Sequence, residues 1–262
     1  MELFKSSSKF SKKQIILLSI PVFFSNMAIP LVGMVDTGLM GNLSETKYLA
    51  ATSIATSVMT MIVWSFGFLR MGTTGLVAQA VGSEDESEVR SYLLRALFLG
   101  FSAGFLIFLL RSPLIDFGFW LSPASIEVEE LAEKYISIRV WSAPAAIALY
   151  GVIGWLIALE RTKSVLILQF FMNGVNVLLD IWFVLGLDWG IEGVAVATAI
   201  AEVSALIFGL FLCYDRFKDN YNSRCADFSE MKYVMEDILY AVSYTHLRAH
   251  ETKANLVCRV LL

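Results

Sequence analysis

Charged side chains are scarce in this sequence, whereas apolar side chains are in large excess. Asp, Glu, Lys and Arg make up 17% of the 262 residues, and 57% are hydrophobic. The mean hydropathy is +0.66. A single water-soluble domain of this composition would have more apolar surface than it could bury, so the composition favours a membrane protein. The net charge of −4 comes without a basic patch, and no nucleic-acid partner is expected.

Cysteine and histidine are also rare, which excludes several kinds of site. Cys213, Cys225 and Cys258 are widely spaced and form no CxxC pair, so neither a disulfide framework nor a zinc site is indicated. Both histidines, His246 and His250, fall in a C-terminal segment that is interpreted below as foreign to the protein. We therefore predict no cofactor and no structural metal.

Long stretches without any charge recur along the chain. The clearest are 15–35, 48–69, 96–110, 140–159 and the nearly uncharged 164–200. A helix needs about 20 apolar residues to cross a bilayer core of about 30 Å, and no sustained alternation of period two is present. The predicted fold class is all-α, a polytopic membrane bundle of six transmembrane helices. We place these helices at 14–41, 48–81, 91–112, 131–159, 163–187 and 190–214.

Positively charged residues are distributed unequally between the two ends of the predicted spans. With the N-terminus inside, the outer ends carry only Lys47, Arg111 and Lys134, and Arg139 if it is counted with them. Cytoplasmic connections are enriched in Lys and Arg, so this bias predicts that the N-terminus lies in the cytoplasm. We expect a multi-pass protein of the cell inner membrane, with membrane lipids as its surroundings. The inner set is Lys5, Lys9, Lys12, Lys13, Arg90, Arg95, Arg161, Lys163, Arg216, Lys218 and Arg224.

Three polar residues from three predicted helices fall at a similar depth. At 1.5 Å per residue, Asp36 lies roughly 8 Å below the outer end of the first helix. Asp180 lies about 10 Å below the outer end of the fifth helix, and Thr198 about 12 Å along the sixth. Each charged residue in a membrane interior costs on the order of 3 kcal/mol, so Asp36 and Asp180 are interpreted as functional rather than structural.

The fifth helix carries a polar stripe. Asn173, Asn176 and Asp180 are spaced by three and four residues, which is one helical face. Carboxylate, amide and hydroxyl oxygens are hard ligands, which suit a proton or a small cation. For Asn173 and Thr198 alone, hydrogen bonding between helices is the simpler interpretation. Asn173 and Glu202, the latter about one turn beyond Thr198, are candidate relay or cavity residues.

The C-terminal segment differs in character from the rest of the chain. The stretch VSYTHLRAHET, 242–252, resembles the translation of a transposon-end adapter used in preparing sequencing libraries. We therefore expect 242–262 to be derived from the adapter and exclude it from the fold. The expected organisation is a six-helix lobe at 1–215, followed by a cytoplasmic linker at 216–241 that could begin a second lobe.

Several long motifs occur in an order that resembles the multidrug and toxic compound extrusion (MATE) family, and within it the DinF branch. The resemblance covers about 13–214. It implies the N-terminal half of a protein with two six-helix lobes, which exports small organic cations by antiport against a proton or sodium gradient through alternating access. The motifs are IPLVGMVDTGLMG, FLRMGTTGLVAQAVG, IRVWSAPA, GWLIALERTKS, NGVNVLLDIWFVLGL and GIEGVAVATAIAE.

The resemblance also implies a set of site residues. A cation site in the N-terminal lobe of such proteins uses an Asp of helix one, an Asn and an Asp of helix five and a Thr of helix six. These positions fall on Asp36, Asn176, Asp180 and Thr198, with the second lobe of the same chain as the missing partner. The coupling ion would be a proton or sodium, and no other metal or cofactor is implied.

Three other functions are compatible with parts of the sequence. A lipid-linked oligosaccharide flippase is similar in architecture but would need a cationic cavity, for which Arg70 and Arg139 are thin support. An intramembrane aspartyl protease could pair Asp36 with Asp180, but neither has the GxGD context of such enzymes. A non-transporting scaffold subunit would use the polar residues only to hold helices together.

Overall fold

The structure is a computed structural model that describes residues 12–41 and 46–214, with only part of the side chains of the first helix. Within these ranges every regular element is helical. A 3-10 turn, Val140–Ser142, joins α6 to α7, and a π-helical segment, Ile181–Gly186, continues α8. The helices are α1 (Lys12–Gly41), α2 (Thr46–Trp64), α3 (Phe68–Gly82), α4 (Glu86–Leu109), α5 (Arg111–Leu121), α6 (Ile126–Arg139), α7 (Ala143–Ala158), α8 (Thr162–Asp180) and α9 (Gly190–Cys213).

Five stretches of the described chain are long and apolar enough to cross a membrane. The predicted all-α membrane bundle is therefore confirmed as a fold class. The count of six spans includes α1, a helix of 30 residues, and this count stays a prediction. The linker expected at 216–241 and the segment 242–262 lie outside the described residues. The five stretches are Thr46–Gly82, Glu86–Leu109, Ile126–Ala158, Thr162–Gly186 and Gly190–Cys213.

The helix predicted at 48–81 is two helices rather than one. The backbone N–H groups of Phe66 and Gly67 donate to the carbonyls of Val63 and Trp64, at 3.0 and 2.8 Å. Bonds to the third residue back are those of a 3-10 turn, which lets the helix change direction while its backbone groups stay paired. The uncharged run continues through this break, so composition alone did not indicate it.

The start of α4 also differs from the prediction of residue 91. Asp85 caps the helix, because its Oδ1 accepts hydrogen bonds from the backbone N–H groups of Ser87 and Glu88, both at 3.1 Å. This cap explains why α4 begins at Glu86. The short helix α5 was not predicted, since its sequence contains charges and a proline.

The span Ile126–Ala158 occupies the centre of the bundle. Of its most apolar window, 72% is buried, against 28–33% for the other four spans. Its α7 half packs against α3, α4 and α9, and its α6 half against α2 and α9. A Cβ atom at Gly104 of α4 would overlap the backbone of Pro144, so glycine permits this close helix contact. The neighbouring helix α8 packs mainly between α1 and α9.

Candidate cation-binding site

Two of the predicted site residues meet directly between α8 and α9. The Nδ2 group of Asn176 donates a hydrogen bond to Oγ1 of Thr198 at 3.1 Å. The same Thr198 hydroxyl donates to the backbone carbonyl of Val194 at 2.8 Å, one turn earlier on α9. Asn176 is buried, with 3% of its surface exposed. The contact brings the two side chains together, and their role in binding a cation stays a prediction.

This contact fixes the orientation of the Asn176 amide. A threonine hydroxyl has one proton, and Thr198 gives that proton to Val194, so it must accept from an N–H group of Asn176. The carbonyl oxygen of Asn176 therefore faces away from Thr198. Among the residues that the structure describes, no donor forms a hydrogen bond to this buried Oδ1 atom. A buried amide oxygen without a donor is available to a cation.

Asp180 lies one turn beyond Asn176, at the last α-helical position of α8. Its side chain is fully buried, with 0% exposed. The π-helical segment Ile181–Gly186 begins at the next residue and ends the span. The depth of Asp180 in the bundle agrees with the expectation that it does not face lipid.

The stripe continues away from Asp180 toward the start of α8. Asn173 is half-buried, and its Oδ1 accepts a hydrogen bond from Nε2 of Gln169 at 3.5 Å. Gln169 is buried as well and was not singled out from the sequence. Its spacing of four residues from Asn173 is the signal that could have identified it. The polar face of α8 is thus one turn longer than predicted.

Asp36 is the predicted site residue about which the structure says least. It belongs to α1, but its side chain lies outside the described residues. The α1 backbone packs along α8, the helix that carries Asn176 and Asp180. The approach of Asp36 to these two residues stays a prediction.

Glu202, the candidate relay, is held in an ion pair. Its Oε2 and Oε1 atoms accept from the two terminal nitrogens of Arg139 at 2.6 and 2.7 Å. Arg139 lies within the span Ile126–Ala158, as its place in the predicted helix 131–159 implied, and it is only 8% exposed. Opposite charges inside two neighbouring spans are the signal that could have predicted this pair.

The chemistry of these groups is that of oxygen ligands. Asn176, Asp180 and Thr198 supply an amide oxygen, a carboxylate and a hydroxyl. Across the described part of the chain, no cluster of three or more His, Cys, Asp or Glu residues could hold a metal ion. Hard oxygen donors of this kind suit a proton or an alkali cation better than a transition metal.

A helical bundle with several apolar spans is the architecture of a multi-pass membrane protein. Polar groups buried at the contact of two spans are typical of membrane transporters within this class. The MatE family model matches residues 21–182. The chain therefore belongs to the MatE family, as the motifs predicted, and members of this family are transporters rather than enzymes. This excludes the aspartyl protease alternative.

The chain is similar to curated proteins of the same family. It is 38% identical to the DNA damage-inducible protein F of Escherichia coli over 74% of this chain and 42% of that protein. It is 28% identical to a probable multidrug resistance protein NorM of Bacillus cereus over 70% of this chain and 40% of that protein. The chain thus spans less than half the length of these relatives, which fits the expectation of one lobe.

Solved structures share the fold. A MOP superfamily transporter from Pyrococcus furiosus, described as having a binding pocket of reversed polarity, is 26% identical with a TM-score of 0.75. A multidrug resistance MATE family transporter in an outward-facing conformation is 25% identical with a TM-score of 0.76. Each match covers 86% of this chain and 50% of the other chain.

Proposed function

We propose that this chain is one lobe of a secondary active transporter that exports organic cations and other xenobiotics by proton- or sodium-coupled antiport. Asp36, Asn176, Asp180 and Thr198 bind the coupling ion, and the second lobe supplies the other wall of the substrate pathway. Binding and release of the ion then bias the exchange between inward-open and outward-open states.

The observation that carries this proposal is the missing hydrogen-bond donor at the Asn176 amide oxygen, among the residues that the structure describes. Its carbonyl oxygen is buried and receives no hydrogen bond from the described residues, one turn from the buried carboxylate of Asp180. Helix contacts alone would favour a donor for that oxygen, because an unsatisfied buried acceptor costs about 1–3 kcal/mol. A bound cation would satisfy it.

The membrane setting of the proposal follows from the charge bias of the connections. Arg161 and the Arg95–Glu88 pair lie at one end of the bundle, near the helix ends Ala158 and Glu86. We assign this end to the cytoplasm and the protein to the inner membrane, with the N-terminus inside. The candidate site then lies in the outer half of the lobe.

The contacts of Arg139 weigh against the flippase alternative. A flippase for anionic lipid phosphates needs unpaired positive charge in its cavity, but Arg139 is neutralised by Glu202. The scaffold alternative predicts that the polar residues matter for stability only. The scaffold and transporter hypotheses are distinguished by measuring both transport and stability in the same variants.

The test uses the chain joined to the second lobe of the Escherichia coli relative, reconstituted in proteoliposomes with an imposed proton or sodium gradient. Asp180→Asn and Asp36→Asn keep the size and hydrogen-bonding ability of the side chain but cannot cycle between protonated and cation-bound forms. We expect each to abolish gradient-driven efflux of a cationic dye while keeping folding.

The matched control is Asp188→Asn. Asp188 is exposed and has a φ of +54°, a conformation that asparagine also tolerates. This variant should transport like the unmodified fusion. Normal dye efflux by both Asp180→Asn and Asp36→Asn would show that the two carboxylates are structural. We also expect the chain without a second lobe to insert into the membrane but not to export the dye.

A further inference from the structure

The Arg139–Glu202 pair joins the central span Ile126–Ala158 to α9 by a two-point contact. Both oxygens of Glu202 and both terminal nitrogens of Arg139 take part, and the two side chains are only 15% and 10% exposed. A paired, two-point contact of this kind fixes orientation as well as distance. The two residues are 63 positions apart in sequence.

On one side, the pair is attached to a break in the helix. Arg139 is the last residue of α6, directly before the 3-10 turn. It donates to Oγ of Ser142 at 2.8 Å, and Ser142 donates back to the Arg139 carbonyl at 2.9 Å. The guanidinium is therefore held by the turn, and its position follows the turn.

On the other side, the pair is attached to the candidate site. Glu202 follows Thr198 by four residues, so the two side chains share one face of α9. Thr198 in turn accepts the hydrogen bond from Asn176 of α8. A chain of contacts thus runs from the 3-10 turn through Arg139, Glu202 and one turn of α9 to the Asn176 amide.

The pair also determines what Glu202 can do in this conformation. A proton relay needs a carboxylate that can accept a proton, whereas both oxygens of Glu202 are engaged by a guanidinium that stays protonated. Tyr150 is close enough to interact electrostatically with both Glu202 and Arg70. Tyr135 interacts with Arg139 in the same way. Removing one member of the pair would leave a buried charge uncompensated.

We propose that Arg139 is a positioning residue: by pairing with Glu202 it holds α9 against the helix break, which keeps Thr198 within reach of Asn176 and sets the ion affinity of the candidate site. This inference rests on the proposed function. In this conformation it assigns Glu202 the structural role of pairing with Arg139, in place of a role as proton relay.

The experiment uses the chain of residues 1–262 in lipid nanodiscs. Backbone amide hydrogen exchange of 194–202 is followed at varied pH and in sodium chloride against choline chloride. The variants are Arg139→Gln, Glu202→Gln, the double neutral variant Arg139→Gln/Glu202→Gln and the charge exchange Arg139→Glu/Glu202→Arg. The double neutral variant leaves no unpaired charge, so it can be measured even if the single variants fail to fold. Arg111→Gln and Glu192→Gln, at exposed positions, are the matched controls.

The single and double neutral variants should exchange at least about tenfold faster in 194–202 and need about tenfold more of the stabilising ion for half-maximal protection. The charge exchange should restore both values, and the controls should leave them unchanged. A loss of global stability alone would not move the half-maximal ion concentration.

Two results would overturn the inference. One is unchanged exchange and ion response in the double neutral variant. The other is loss of the ion response in Glu202→Gln with unchanged basal exchange, which would identify Glu202 as the relay. If neither sodium nor pH affects the unmodified chain, the proposed ion site fails, while basal exchange still tests whether the pair holds α9.

Discussion

The spans Ile126–Ala158 and Thr162–Gly186 are of comparable hydropathy, 1.7 and 1.6, but they differ in burial and in polarity. The first is 72% buried over its most apolar window, whereas the second is 28% buried. The α7 part of the first has no charged residue, and apolar residues, Trp155 among them, fill it. The second carries the polar stripe of Gln169, Asn173, Asn176 and Asp180.

The difference separates a supporting element from a functional one. α7 is surrounded by neighbours, so its sequence is constrained by packing. α8 buries its polar face together with Val165 and Leu168. Its other face exposes Phe170 and Leu178, and Trp182 of the π-helical segment that follows is exposed as well. That exposed face is apolar, as expected for a surface in contact with lipid or with a second lobe. Substitutions in α7 should therefore change stability, and substitutions on the polar face of α8 should change function.

The largest expected difference in the free energy of unfolding is between alanine variants of two tryptophans, one in each span. Trp155 is completely buried, and its Nε1 donates to the Val89 carbonyl at 2.8 Å. Trp155→Ala should lower the free energy of unfolding by about 3–5 kcal/mol, measured by denaturant titration in detergent micelles. Trp182→Ala, at a side chain that is 65% exposed, should cost less than about 1 kcal/mol. Equal losses would remove the distinction between the two spans.

A smaller effect is expected at the contact between α8 and α9. Thr198→Val keeps the shape of the side chain but removes the acceptor for Asn176, so it should lower the free energy of unfolding by about 1–3 kcal/mol. Ser204→Ala is the control on the same helix and should have little effect. Among the described residues, Ser204 forms a side-chain hydrogen bond only to the Ala201 carbonyl of its own helix. A Thr198→Val protein as stable as the control would show that the contact contributes nothing.

The smallest effect is expected on the exposed face of α8. Leu178 is 69% exposed, so Leu178→Ala should change the free energy of unfolding by no more than about 0.5 kcal/mol. The same titration of Leu156→Ala, at a fully buried leucine of α7, should show a loss of about 2–5 kcal/mol. A large loss for Leu178→Ala would mean that this face is covered within the lobe.

The sequence was sufficient for the features that depend on composition or on spacing along one helix. Uncharged runs located the spans, depth placed Thr198 near the level of Asp180, and spacing placed Asn176 on the face of Asp180. The structure finds Asn176 and Thr198 in contact. The break after Trp64 and the 3-10 turn after Arg139 were missed, since both lie inside apolar surroundings that a hydropathy pattern passes over.

The Arg139–Glu202 pair was missed for a different reason. Neither residue has an oppositely charged residue at helical spacing in its own span, and the contact joins two helices that only the tertiary fold brings together. Helix packing direction is set by side-chain shape and close contacts such as Gly104 with Pro144, which spacing along the chain does not contain.

The central claim is that Asp36 approaches Asp180 on the polar face of α8, and thiol cross-linking tests it most directly. In a variant in which Cys213, Cys225 and Cys258 are replaced by serine, the pair Asp36→Cys/Asp180→Cys is compared with Asp36→Cys/Leu178→Cys. A protease site between α3 and α4 separates α1 from α8 unless a short cross-linker joins them. We predict that the Asp180 pair is joined and that the Leu178 pair is not. Cross-linking of the Leu178 pair without the Asp180 pair would contradict the account.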